Sequence, residues 1–130
     1  MATVALTAST LETAVLDNDI VLVDFWAAWC GPCRQFGPVF GAASEAHPDV
    51  VFGSVDTEAE RELARSVGIT SIPTLMAFRG GVLVYAQPGA LPAAGLERLI
   101  EAVRGLDMDD VLCQSAEQEP AGIDRTAARQ

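Results

Sequence analysis

The sequence predicts an α/β fold, a central mixed sheet flanked by helices on both faces, and three observations predict it. Short β-branched and aromatic runs alternate along the chain with segments of helical periodicity. The central run, Ile20-Val-Leu-Val-Asp-Phe-Trp26, is apolar almost throughout, as suits a strand covered on both faces in a parallel sheet. Near the end, two strand-like runs meet across Gly80-Gly81, a hairpin signal that adds an antiparallel pair.

Taken in order, Thr3 to Leu6 reads as a short edge strand. Thr10 to Leu16 reads as a helix opened by a Ser or Thr cap, with Leu11, Val15 and Leu16 at helical spacing. After the Ile20–Trp26 strand, a helix is expected from Pro32 to Ala46, kinked at Pro38. Val50 to Asp56 is the next strand. Thr57 and Glu60 have capping-box spacing and predict a helix ending at Gly68. Thr74 to Arg79 and Val82 to Gln87 form the hairpin strands. Pro92 suits the first turn of a last helix that buries Leu96, Leu99, Ile100 and Val103.

The chain has 130 residues, enough for one core, so residues 1–106 are expected to form the single domain. From Asp107 to Gln130 the composition turns acidic and poor in large apolar side chains, which predicts a flexible tail. Met108, Val111 and Leu112 could prolong the last helix into it.

No apolar run is long enough to cross a bilayer, and Met1 to Ser9 carries no basic residue and no long apolar core. A cytoplasmic protein is expected, without a membrane partner. The formal net charge is -10, and all eight basic residues are arginine. Such a chain repels phosphate backbones, so nucleic acid is not an expected partner; the surplus acid keeps a surface soluble.

Three cysteines are too few for a disulfide framework and odd in number. Two of them form the unit Trp29-Cys30-Gly31-Pro32-Cys33, directly after the most strand-like run and at the start of a helix. Residues three apart on a helix share a face, within reach of the roughly 5–6 Å Cα separation that a disulfide needs. Pro32 is tolerated in the first turn, where its missing N–H has no intrahelical partner to lose. Cys30 meets the positive end of the helix dipole, which favours a thiolate, the attacking species in thiol–disulfide exchange. Cys30 is therefore expected to attack a client disulfide, and Cys33 to resolve the mixed disulfide from one turn behind. The rival is half of a zinc site. Structural zinc needs four ligands, and this chain offers only Cys113 and His47 besides. No metal is expected.

Asp24 interrupts the apolar strand, where an unpaired carboxylate is costly. Either the strand bends and exposes it, or it is buried with a raised pKa. Taken alone, Pro73 in Ile72-Pro73 reads as a turn proline.

Asp24-Phe-Trp-Ala-Ala-Trp-Cys-Gly-Pro-Cys-Arg34, Pro38 and Ser71-Ile-Pro-Thr74 together resemble the thioredoxin family, over residues 3–104. The resemblance implies the thioredoxin fold, and dithiol exchange without a cofactor. It also implies a redox-active Cys30–Cys33 disulfide, with thioredoxin reductase and oxidised client proteins as partners. It implies that Asp24 is the buried acid exchanging protons with Cys33. Pro73 matches the family's cis-proline, with the Ile72 backbone facing an extended client segment. Trp29, Gly31, Pro32, Ile72, Pro73, Gly89 and Ala90 would form the client-binding rim; Trp26 reads as core.

Gly31-Pro32 resembles the reducing members, whereas oxidases and isomerases usually carry a histidine there. The expected activity is protein-disulfide reduction by a monomer. A non-catalytic binding module is the rival of a different class. One departure stands out. Phe52 occupies the position where members often carry a lysine beside the buried acid, so Asp24 should be easier to keep protonated. Cys113 reads as an inert tail cysteine, with a regulatory disulfide as the sharper alternative.

Overall fold

The structure, a computed structural model, describes residues 3–109. Five strands form one sheet in the order β1-β3-β2-β4-β5. They are β1 (Thr3–Ala5), β2 (Ile20–Trp26), β3 (Val51–Asp56), β4 (Thr74–Arg79) and β5 (Val82–Pro88), with helices α1 (Ala8–Asp17), α2 (Gly31–Ala46), α3 (Arg61–Ser66) and α4 (Ala93–Arg104). β1, β3 and β2 are mutually parallel, β4 is antiparallel to β2, and β5 is antiparallel to β4. The predicted mixed sheet is what forms.

The alternation of β2 divides the core. Val21, Val23 and Phe25 face Leu11 and Val15 of α1, together with Val55 and Met76. Ile20 and Leu22 face the opposite layer, where Phe36 and Phe40 of α2 meet Leu96, Ile100 and Val103 of α4. Period-two side-chain direction puts Asp24 on this second face, below α2. Phe40 packs its ring against Phe36 at 5.6 Å and edge-on against Phe52 at 5.1 Å.

Several boundaries differ from the sequence expectation. Helix α1 begins two residues earlier, with Thr7 as its cap; the Thr7 N–H donates to Thr10 Oγ1 at 2.8 Å. The expected Thr57 cap is not one. Thr57 Oγ1 instead donates to the Trp26 carbonyl at 3.0 Å, and α3 starts only after Glu60. The Asp56 carboxylate takes the turn, accepting the Glu58 N–H at 2.9 Å. Pro92 lies just before α4 as its cap rather than inside the first turn. α4 stops at Arg104, and Gly105 to Asp107 leave the helical path, so Met108 does not prolong it. Val111, Leu112, Cys113 and nearly all of the expected tail lie outside the described residues.

Gly80 and Gly81 both have positive φ (59° and 84°), the backbone that a two-residue hairpin requires and that glycine adopts without a Cβ clash. At the far end of the sheet, Arg79 donates to the Val103 carbonyl at 2.7 Å and to the Arg104 carbonyl at 3.2 Å, adding side-chain partners to the last carbonyls of α4. Arg104 reaches back to Asp49 and to His47 Nδ1. These contacts dock α4 against the C-terminal end of α2 and leave its N-terminal end to the site.

Candidate active site

The end of β2 and the start of α2 bring two sulfurs together. A tight turn follows β2, in which the Cys30 N–H donates to the Ala27 carbonyl at 3.1 Å. Cys30 then serves as the N-cap of α2, in extended conformation, and its Sγ accepts the Cys33 N–H at 3.2 Å. That N–H is one of the four a helix leaves unpaired at its start, so the sulfur sits where negative charge is favoured. Cys30 and Cys33 form a disulfide with a Cα separation of 5.2 Å. They are 5% and 4% exposed, so exposure does not separate them; position on the helix does. The capping role of Cys30 was readable from its likeness in shape to serine, a favoured cap, and sequence reasoning passed over it.

Pro32 lies in the first turn of α2, and the helix runs on unbroken through Pro38 to Ala46. Gly31 and Pro32 are exposed beside the sulfurs.

Asp24 is buried, 4% exposed, in a strand that keeps its ladder to both neighbours. Of the two alternatives that the strand pattern left open, burial is the one realised. Its Oδ1 has no hydrogen-bond partner among the described residues. Burial pushes its pKa up to about 7. Phe52 is fully buried, two residues along β3 from Ser54, which lies opposite Asp24 in the register. A cavity of about 460 Å³ opens next to Asp24, and Cys33, Arg34, Trp26, Phe40 and Ser54 share its walls. Asp24 and Cys33 thus border one space from two different elements.

The expected rim is assembled from loops. The Ile72–Pro73 bond is cis, and the Ile72 carbonyl lies 3.8 Å from Cys30 Sγ. The Gly89 N–H donates to the Pro73 carbonyl at 2.7 Å, which brings the loop after β5 to the same corner. Ala90 follows Gly89, exposed, in that loop. Trp29 is 68% exposed, and Trp26 is half-buried against the two cysteines. One rim residue went unnoticed in the sequence. The Trp29 indole N–H donates to Glu58 Oε2 at 3.4 Å, and Arg61 pairs with Glu58 at 2.8 Å. Nothing in the spacing of Trp29 and Glu58 announces a contact between residues so far apart.

Among the described residues no group of three or more His, Cys, Asp and Glu side chains could hold a metal ion, and His47 stands at the opposite end of α2. A paired dithiol capping a helix, with a buried acid behind it, defines a thiol–disulfide oxidoreductase. Residues 2–102 match the family model for thioredoxin, and the chain belongs to the thioredoxin family.

Its relatives agree. A protein described as putative thioredoxin 2 from Streptomyces coelicolor is 59% identical over 117 residues, covering 90% of this chain and 87% of that one. Thioredoxin 1 from a Nostoc species is 43% identical over 97 residues, 73% of this chain and 91% of its own. Among solved structures, a mutant thioredoxin from Halobacterium salinarum superimposes with a TM-score of 0.74 at 32% identity. That match covers 80% of this chain and 92% of the other. The activity that follows is protein-disulfide reduction through the Cys30–Cys33 pair, with thioredoxin reductase and substrate proteins as partners.

Proposed function

We propose that Cys30 is the attacking sulfur, Cys33 the resolving sulfur and Asp24 the proton acceptor for Cys33. The supporting observation is the N-cap position of Cys30, whose sulfur accepts the Cys33 N–H at 3.2 Å. A thiolate there gains a charge-assisted hydrogen bond and the favourable end of the helix dipole. Cys33, inside the first turn, borders the Asp24 cavity instead.

In the reduced protein, the Cys30 thiolate attacks one sulfur of the client disulfide. An S–S bond forms between Cys30 and the client, and the first client sulfur leaves as a thiolate that takes up a proton. Cys33 then gives its proton to the Asp24 carboxylate and attacks Cys30 Sγ. The Cys30–Cys33 disulfide forms, and the second client sulfur leaves. The client gains two electrons, and thioredoxin reductase restores the dithiol. A carboxyl whose pKa lies near 7 suits a base that must both take and release a proton at neutral pH.

In this reading Trp29, Gly31, Pro32, Ile72, Pro73, Gly89 and Ala90 hold the client segment, with the Ile72 backbone pairing to it as an added strand. The protein works as a monomer in the cytoplasm, a compartment that keeps dithiols reduced, apart from membranes and nucleic acid. The catalytic domain spans residues 1–106, followed in the sequence by the acidic residues 107–130. The test is an insulin reduction assay with NADPH and thioredoxin reductase, beside two variants. Cys33→Ser is expected to accumulate a client mixed disulfide on Cys30, and Cys30→Ser to lose turnover. Electron delivery persisting after selective alkylation of Cys30 would overturn the assignment of roles.

A further inference from the structure

The cavity behind Cys33 has a chemistry that disulfide exchange does not use up. Its walls are mainly apolar, with Trp26, Pro38 and Phe40 among them, yet a carboxyl whose Oδ1 lacks any partner among the described residues borders it. A buried acceptor left unpaired forfeits a hydrogen bond that a donor would return, so the site is chemically incomplete. At about 460 Å³ it has the size of a small-molecule site and the usual makeup, apolar walls with one placed polar group.

We propose that this cavity binds a small planar organic cation of the aryl amidine or guanidine class, its flat body against Trp26 and Phe40 and its N–H groups donating to Asp24. An amidinium N–H donating to an ionised carboxylate makes a charge-assisted hydrogen bond, roughly twice as strong as a neutral one. The net charge of -10 draws cations toward the molecule. The charged and titratable groups around Asp24 are few. From α2 they are Cys33 and the exposed Arg34, and the neighbouring walls from β1 and β3 are the hydroxyl residues Thr3 and Ser54. Of these lining groups Arg34 alone opposes a cation, from an exposed side chain screened by water. A ligand seated there would hold Asp24 ionised and cover the wall it shares with Cys33. Under the reading of Asp24 as proton acceptor, it would slow the resolving step.

Binding and protonation then compete for one carboxyl. The fold raises the pKa of that carboxyl to about 7, so ligand affinity must climb with pH below that value and level off above it. The experiment uses the oxidised full-length protein, in which Cys30 and Cys33 do not titrate, and benzamidine as the probe. Calorimetry or chemical-shift titration from pH 5 to 8 is expected to show affinity rising about tenfold per unit well below pH 7, then a plateau. Shifts should centre on Trp26, Gly37 and Ser54. Asp24→Asn should weaken binding at pH 8 at least tenfold and abolish the pH dependence, and Arg34→Gln should strengthen binding. Neutral benzamide should bind more weakly at pH 8 and without pH dependence. Benzamidine that fails to bind, binds equally to the Asp24→Asn protein, or binds no better than benzamide at pH 8 overturns the proposal. None of these outcomes depends on turnover, so the proposal can fail while the roles of Cys30 and Cys33 stand.

Discussion

Asp24 shows at the residue scale how a stability cost and a chemical use coincide. Its carboxyl is protonated in the fold up to about pH 7 but ionises near pH 3.8 in the unfolded chain. Between those values the native state holds a proton that the unfolded state has lost, so this group makes stability fall as pH rises through the window. The accumulated loss is about 4 kcal/mol at 1.36 kcal/mol per pH unit. Asp24→Asn is therefore expected to raise the denaturation midpoint at pH 8 and to lose that advantage toward pH 4; equal midpoints for the two proteins at pH 8 would refute it. Phe52 belongs to the same argument. Phe52→Lys would place a cation on the face of β3 that Asp24 shares, and the pKa of Asp24 is expected to move down. Part of the core is lost with it, because Phe52 packs edge-on against Phe40. An NMR titration of Asp24 that gives the same pKa in both proteins would sink the idea.

At the scale of elements, the site depends on how closely backbone pieces approach. β1 is only three residues long, yet it lies in register with β3 and carries Leu6 over Gly53. A Cβ on Gly53 would collide with Leu6 Cδ1 and come within 2.9 Å of its Cγ. Leu6 is itself buried, so it has little room to yield. Gly53→Ala is expected to cost about 1–3 kcal/mol, the usual penalty for overpacking, with urea denaturation as the measure. An unchanged midpoint would mean that β1 lifts away freely. Thr57 shows the same dependence on neighbours. The residues after it have capping-box spacing, but the Trp26 carbonyl at the end of β2 supplied a competing acceptor. The strand end won, and α3 shrank to six residues.

The whole molecule places its chemistry at the start of α2 and the ion pairs that tie α2 to α4 at its far end. His47, Glu97, Asp49 and Arg104 join α2 to α4 far along α2 from the cysteines. The Arg104 guanidinium beside Asp49 holds that carboxyl down at about 2. Its stabilising contribution is present above the ordinary carboxylate pKa and is lost only as pH falls toward 2. Every residue placed in the catalytic machinery lies before Leu106. Truncation after Leu106 is accordingly expected to leave insulin reduction within about twofold and to lower thermal stability only slightly, by about 1 kcal/mol, because the Met108 side chain lies against the turn at Gly80. A collapse of either on truncation would assign residues 107–130 to the folded unit.

The sequence alone determined the alternation of strands and helices, the mixed sheet, the hairpin at Gly80-Gly81 and the dithiol at a helix start. All of these rest on neighbours in the chain: apolar periodicity, glycine backbone freedom, and a spacing of three that puts two sulfurs on one face. Tertiary structure decided what depends on distant partners. It buried Asp24 in an apolar layer, opened a cavity between that acid and Cys33, and set Glu58 against Trp29. Desolvation and long-range contacts arise only once β2, β3 and α2 are packed together, and no local pattern encodes them.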